Sequence, residues 1–313
     1  MTQALDKLMT DIKEKYNYDD NFVSLLRKII VGMILHYGED KKDIIFDALL
    51  NTPIIKCKSG ETIYDVLVKY GHYSDTEEGL VKAEDLKRAS GVCSLDYAIS
   101  YNEETQEYNI DNVDKMVVLS NYIDTEKRPS IIIHELGHLV KQYINNSFIK
   151  SNKLYIRSGL AESEIELSFD NGKVKKKLIS EKGVGAEEGT NTYDEIKIMR
   201  SIFDKEYKSG TYAGVLCCAN MLYDNLLLEK DIRDTQFYGN KIEFISAYDE
   251  ICESQSYEKV EKKIDEIYEL DLLAFSQIFD KEKLKETHTL INMKLDELIP
   301  ELKKYYDKIQ ITK

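Results

Sequence analysis

Residues 129–144 read PSIIIHELGHLVKQYI, and the spacing of two histidines within this run governs how the rest of the chain is read. Pro129 stands where a first helical turn tolerates it, and Asn145-Asn146 offers a stop, so the run is expected to be a helix. On a helix His134 and His138, four residues apart, present both imidazoles from one face to one ion. Glu135 then projects beside that ion, where it can hydrogen-bond a water molecule and take its proton. Ile131, Ile132 and Ile133 anchor the helix in a core, and Gly137 leaves room for another segment to approach closely.

A catalytic zinc generally takes three protein ligands and leaves a fourth position to water. The chain should therefore supply one more His, Asp or Glu. The continuation HExxHxxGxxH is missing, because Lys141 holds the Gly position and Ile144 the last His position. A glutamate is the better expectation, and Glu187-Glu188-Gly189-Thr190-Asn191 opens a second predicted helix whose residues Ile196, Met199, Ile202 and Phe203 share one side. Imidazole and carboxylate donors accept Mn, Fe or Co as well as zinc, so the ligand types favour zinc without excluding these.

Working outward, residues 1–50 read as two or three helices, with Phe22, Leu25, Leu26, Ile29 and Ile30 on one face, and residues 61–71 as a short helix ended by Gly71. SLDYAISYN and KMVVLS (115–120) are β-type runs separated by the polar stretch NEETQEYNIDNVD. Residues 153–180 form a hairpin around Asn171-Gly172, with Glu164 and Glu166 able to face Lys175 and Lys177. Lying between the two ligand-bearing helices, it is either a lid over the cleft or a plain structural insertion. Beyond Tyr212 the chain reads as helical. Its last stretch carries a seam of Leu284, His288, Ile291, Leu295, Leu298, Leu302, Tyr305 and Ile309, which Pro300 should kink or interrupt. On that seam His288 is expected to be a core histidine, and Cys217-Cys218 to be small core residues. His36 and His72 have no evident partner. The expected class is α+β: a mixed sheet packed on the HExxH helix, a hairpin insertion and helical terminal regions. The division is a helical region 1–90, a catalytic domain 91–205 with the insertion 153–180, and a helical domain 206–313.

With 313 residues, 42% of them hydrophobic, the chain can build a sizeable core. Lys and Arg number 43 against 57 Asp and Glu, a net charge of −14. That surplus disfavours nucleic acid and anionic lipid as partners, and permits a cationic substrate. Five cysteines without a CxxC pair support neither a disulfide framework nor a cysteine-based metal site. The start lacks a secretory apolar core and no run of about 18 apolar residues occurs, so a cytoplasmic protein without a membrane partner is expected.

HELGH followed by a Glu-bearing helix resembles the gluzincin, or thermolysin-like, branch of zinc metallopeptidases, over about residues 95–225. Ala186-Glu187-Glu188-Gly189 is similar to the second-helix sequence of many bacterial members of unassigned function. The resemblance implies a zincin-like fold, one Zn²⁺ per chain held by His134, His138 and Glu188, with Glu187 as the second choice, and Glu135 as general base acting on a peptide or protein substrate. It further implies an edge strand along the cleft, for which 115–120 is the nearest run, and a Tyr or His donor for the oxyanion, for which Tyr212 is chosen. Two departures stand out. The orienting Asp four residues after the ligand is replaced by Thr192 (after Glu188) or Asn191 (after Glu187), either of which can hydrogen-bond an imidazole. The GxMEN signature of aminopeptidases is missing. Two rival readings are a dedicated regulatory protease that cuts one protein partner, and a catalytically inactive, zinc-stabilised binding protein.

Overall fold

The computed structural model describes residues 2–72, 86–87, 89–121, 128–144, 147–209, 212–225, 228–239, 241–252 and 256–312. Its first helices, α1 (Thr2–Tyr16), α2 (Asp20–Tyr37) and α3 (Lys42–Asn51), follow the apolar spacing of the sequence. The Asp19 carboxylate accepts the N–H of Phe22 at 2.8 Å and so starts α2. Leu25, Leu26, Ile29 and Ile30 then fall on its buried face. After strand β1 (Ile54–Lys56), helix α4 (Ile63–Lys69) is fixed by a reciprocal capping box between Thr62 and Asp65.

Strands β2 (Gly91–Asn102) and β3 (Glu107–Leu119) form one long hairpin that runs through the polar stretch expected to separate two short strands. Its distal arms are ordered because Leu95, Ile99, Tyr108, Ile110 and Val113 pack on a second sheet, around Tyr97, Leu154, Ile165 and Leu167. The first sheet has the order β1-β3-β2, with β1 parallel and β2 antiparallel to β3. This corrects the expectation for 115–120: that run belongs to the central strand, paired on both sides, and the edges of the sheet are β1 and β2. Side chains alternate across β3, so that Val117 and Leu119 enter one core while Met116 and Val118 enter another beneath α4.

The helix α5 (Pro129–Lys141) begins with Pro129 in its first turn and buries Ile132, Ile133, Leu136, Leu139 and Val140 in the core formed with α1–α3. It ends at Lys141, ahead of the expected stop at Asn145-Asn146, which lies outside the described residues. An antiparallel four-stranded sheet follows: β4 (Phe148–Lys150), β5 (Lys153–Ser158), β6 (Ala161–Asp170) and β7 (Lys173–Lys182). Asn171 and Gly172 close β6 to β7 with φ of 52° and 75°, the two left-handed positions of a type I′ turn. Glu166 faces Lys177 as expected. An irregularity after Glu164 puts that residue opposite Ser180, and its carboxylate pairs instead with Lys153.

Helix α6 (Val184–Ile202) joins the two main cores, with Ile198 and Met199 in the first and Ala186 and Tyr193 in the second. The second core is completed by α7 (Ala213–Asn220), α8 (Glu229–Tyr238), α9 (Lys241–Ile251), α10 (Tyr257–Ser276) and α11 (Lys281–Thr312). On the seam of α11, Ile291, Leu295 and Leu298 are buried, but His288 is exposed and Thr287 takes the inward place, contrary to the core role expected for His288. The helical span includes Pro300 without interruption; side chains after Leu298 lie outside the described set. Cys218 is a core residue, whereas Cys217 is exposed.

α10 also supplies the missing start signals of two helices. Asp265 accepts the N–H groups of Gly183 and Gly185, each at 2.8 Å, at the N-terminus of α6, and Asp271 accepts those of Gly214 and Val215 at the N-terminus of α7. Neither helix has a side-chain cap of its own, so these carboxylates satisfy otherwise orphaned donors. Asp265→Ala is expected to lower the free energy of unfolding by about 1–2 kcal/mol, read from urea unfolding. A loss below a few tenths would mean that solvent caps α6 equally well.

Candidate metal centre

With one face of α5 committed to the core, the opposite face carries His134 and His138. Their rings lie 4.9 Å apart at 78°, with the Nε2 atoms separated by 3.3 Å. α6 crosses α5 at Gly137, where an added Cβ would collide with the side chain of Asn191; its Nδ2 donates to the His134 carbonyl at 2.8 Å. This close crossing brings Glu188 to the histidines. Its Oε2 is 3.2 Å from His134 Nε2 and its Oε1 3.4 Å from His138 Nε2.

The triangle fits a metal ion. Two atoms bound at about 2.0–2.1 Å to one tetrahedral ion lie about 3.3 Å apart, which matches the separation of the two imidazole nitrogens, and Glu188 offers one oxygen to each of them. Two imidazole nitrogens this close to each other and to a carboxylate form a group that could hold a metal ion. Burial opposes a charge on His134, yet its hydrogen bonds to Glu188 and Glu195 and the negative charges of Glu188 and Glu135 prevail and raise its pKa to about 10. Burial likewise opposes ionisation of Glu188, but the two histidines hold its carboxyl well below the usual range. Both shifts express one property, a site that attracts positive charge.

Glu187 lies elsewhere. Its Oε2 accepts the N–H of Leu160 and the amide of Gln236, so it completes no part of the triangle. The imidazole partner expected of Thr192 or Asn191 is Glu195, whose Oε2 lies 3.1 Å from His134 Nδ1. Asn191 bonds the backbone instead, and the Thr192 hydroxyl is buried without a partner. Glu195 in turn accepts the hydroxyl of Tyr207 at 2.5 Å. Neither Glu195 nor Tyr207 was singled out by the sequence. A signal existed for the first, since Glu195 lies seven residues after Glu188, on the same face of a helix with 3.6 residues per turn.

Glu135 is 8% exposed and turns toward β2, where it accepts the N–H of Cys93 and lies against Gly91. Burial raises its pKa, while His134 and His138 pull it down. A cavity of about 860 Å³ opens onto His134 and Glu135; Gly91, Ile131, Met199, Phe203, Tyr207 and Tyr212 contribute to its walls. That volume is in the range of small-molecule and peptide side-chain pockets. The Tyr212 ring is 6.2 Å from that of His134, and its hydroxyl bonds with Tyr268. No residue of the four-stranded sheet lines this cavity, so the sheet is not a lid over it among the described residues. His36 and His72 do have partners, Asp194 at 2.8 Å and the Ser94 hydroxyl at 3.2 Å.

Neither a protein-family profile nor any curated protein nor any solved structure matches this chain. The architecture is α+β, and among the described residues no helix is long and apolar enough to cross a membrane.

Proposed function

We propose that this chain is a zinc-dependent metallopeptidase of the gluzincin type, with a zincin-like fold, hydrolysing peptide bonds of a peptide or protein substrate. The observation that carries the reading is the triangle of His134 Nε2, His138 Nε2 and the Glu188 carboxylate, with edges of 3.2–3.4 Å, beside a cavity. Three protein donors form the set used by catalytic rather than structural zinc. Held there, zinc would polarise a carbonyl and make water acidic enough to attack at neutral pH.

The chain's own groups then handle protons and charge. A carboxylate oxygen of Glu135 takes a proton from the attacking water and delivers it to the leaving amine nitrogen. The Cys93 N–H holds that carboxylate against β2. Burial pushes the Tyr212 phenol above its ordinary pKa, and the charges of Glu188 and Glu135 add to the effect, so its hydroxyl donates rather than ionises. In this reading that donor meets the carbonyl oxygen as negative charge develops on it.

Metal content per chain tests the proposal. Near one zinc is expected in the wild type, and Glu188→Ala should weaken binding by more than the roughly 10–100-fold typical of losing an outer partner of a ligand. A wild type that takes up no metal when zinc is supplied would sink the reading. A generic peptide library separates broad cleavage from a protease dedicated to one partner, which would leave the library intact.

A further inference from the structure

Beside Glu188 on α6 stands a second buried carboxylate with one oxygen hydrogen-bonded and the other without a hydrogen bond, though ion-paired with Lys141. Glu187 is 3% exposed, and its Oε2 accepts the N–H of Leu160 at 2.9 Å and Gln236 Nε2 at 3.0 Å. Its Oε1 is fully buried and accepts no hydrogen bond. Two groups face this oxygen, Lys141 Nζ at 3.3 Å and His138 Nδ1 at 3.9 Å. A buried acceptor left unsatisfied is costly, and a shift of about 1 Å would bring the imidazole into hydrogen-bond range.

We propose that Glu187 is a positioning residue for the metal centre, its Oε1 accepting the Nδ1–H of His138 as Glu195 accepts that of His134. The inference rests on the zinc reading above. Placing the proton on Nδ1 leaves the Nε2 lone pair free for the ion and fixes the ring's direction. Both imidazoles are then clamped by carboxylates of one helix, one residue before Glu188 and seven residues after it.

The clamp gives the four-stranded sheet a part in the site. Glu187 is gripped by the Gly159-Leu160 turn between β5 and β6. Gly159 has φ of 62° and packs so closely on the Glu187 carboxylate that a Cβ would overlap it. The sheet thus reaches the centre through this turn, although it lines no part of the cavity.

Glu187→Gln tests the assignment at constant size. To keep accepting from Leu160 and Gln236, the glutamine must place its NH₂ where Oε1 stood, turning an acceptor for His138 into a donor. By chelator competition, zinc affinity is expected to fall about 10–100-fold, and the visible absorption bands of the cobalt-substituted protein to shift. A purely structural role would lower the unfolding temperature of the metal-free protein and leave affinity and spectrum unchanged, which would overturn the proposal. Should the variant fail to fold, the wild-type zinc protein decides. Its ¹H–¹⁵N spectra should show slowly exchanging Nδ1–H protons on both His134 and His138, and rapid exchange at His138 would overturn the proposal. If the wild type binds neither zinc nor cobalt, both readings fall; if only the Glu187→Gln response is missing, this one alone does.

Discussion

Glu135→Gln is expected to cut the turnover of a cleaved peptide by about 10²–10⁴-fold while leaving zinc content unchanged. The amide matches the carboxylate in size and retains an oxygen for the Cys93 N–H, so α5 and its contact with β2 should persist. It cannot take a proton from water. Because Glu135 is not part of the His134, His138 and Glu188 cluster, the three groups proposed to hold the ion should stay in place. Loss of hydrolysis with metal and fold retained would support general-base chemistry at this residue. Undiminished biological function in the same variant would favour the rival in which the centre is a structural staple and the chain a binding protein. Zinc measured on the same samples keeps the two outcomes apart, since a fall in both quantities would mean that the substitution had disturbed the ligands.

What the sequence made legible follows from range. The α5 helix with its first-turn proline, the two histidines on one face, the Asn171-Gly172 turn and the buried part of the last seam are all properties of neighbours within a few residues. Strand partnership is not. The run 115–120 has the composition of any inner strand, and its central position depends on β1, whose partner residues lie about sixty positions away. The arm of β3 at 107–114 falls in the polar stretch between the two β-type runs, because five of its eight residues are polar, yet one face is covered by a sheet from later in the chain. Residues 187–195 of α6 are rich in Thr, Asn, Asp and Glu, which in isolation suggests a solvated helix, but Glu187, Thr190, Asn191, Thr192, Asp194 and Glu195 are all buried. A helix buried on most sides with a polar interior is visible only once the neighbours that pair with it are known.

That polar interior leads to the largest stability effect expected. Asp194, 1% exposed, receives Lys141 Nζ at 3.4 Å and Tyr37 at 3.3 Å on one oxygen, and His36 at 2.8 Å and Arg233 at 3.3 Å on the other. Burial alone would raise its pKa, but the charges of Arg233 and Lys141 outweigh that cost and hold the carboxyl well below the usual range. Asp194→Ala would remove one anion and strand two buried cations. Among the described residues, Lys141, 1% exposed, would keep Glu187 as its one ion-pair partner, and Arg233 would keep Glu229 at the surface. Breaking a buried pair from one side costs about 3–5 kcal/mol, because the remaining charge stays out of water without compensation. A loss of that size is expected in urea unfolding of the metal-free protein. The double variant Asp194→Leu with Lys141→Met should recover part of it, since apolar side chains of suitable volume often replace a buried ion pair at little cost. A loss under about 1 kcal/mol in Asp194→Ala would mean that water reaches the cations and that the network contributes little. The two effects also separate by position: Lys141 lies three residues after His138 and contacts Glu187, so Asp194→Ala should weaken zinc binding less than Glu187→Gln does while destabilising the metal-free fold more.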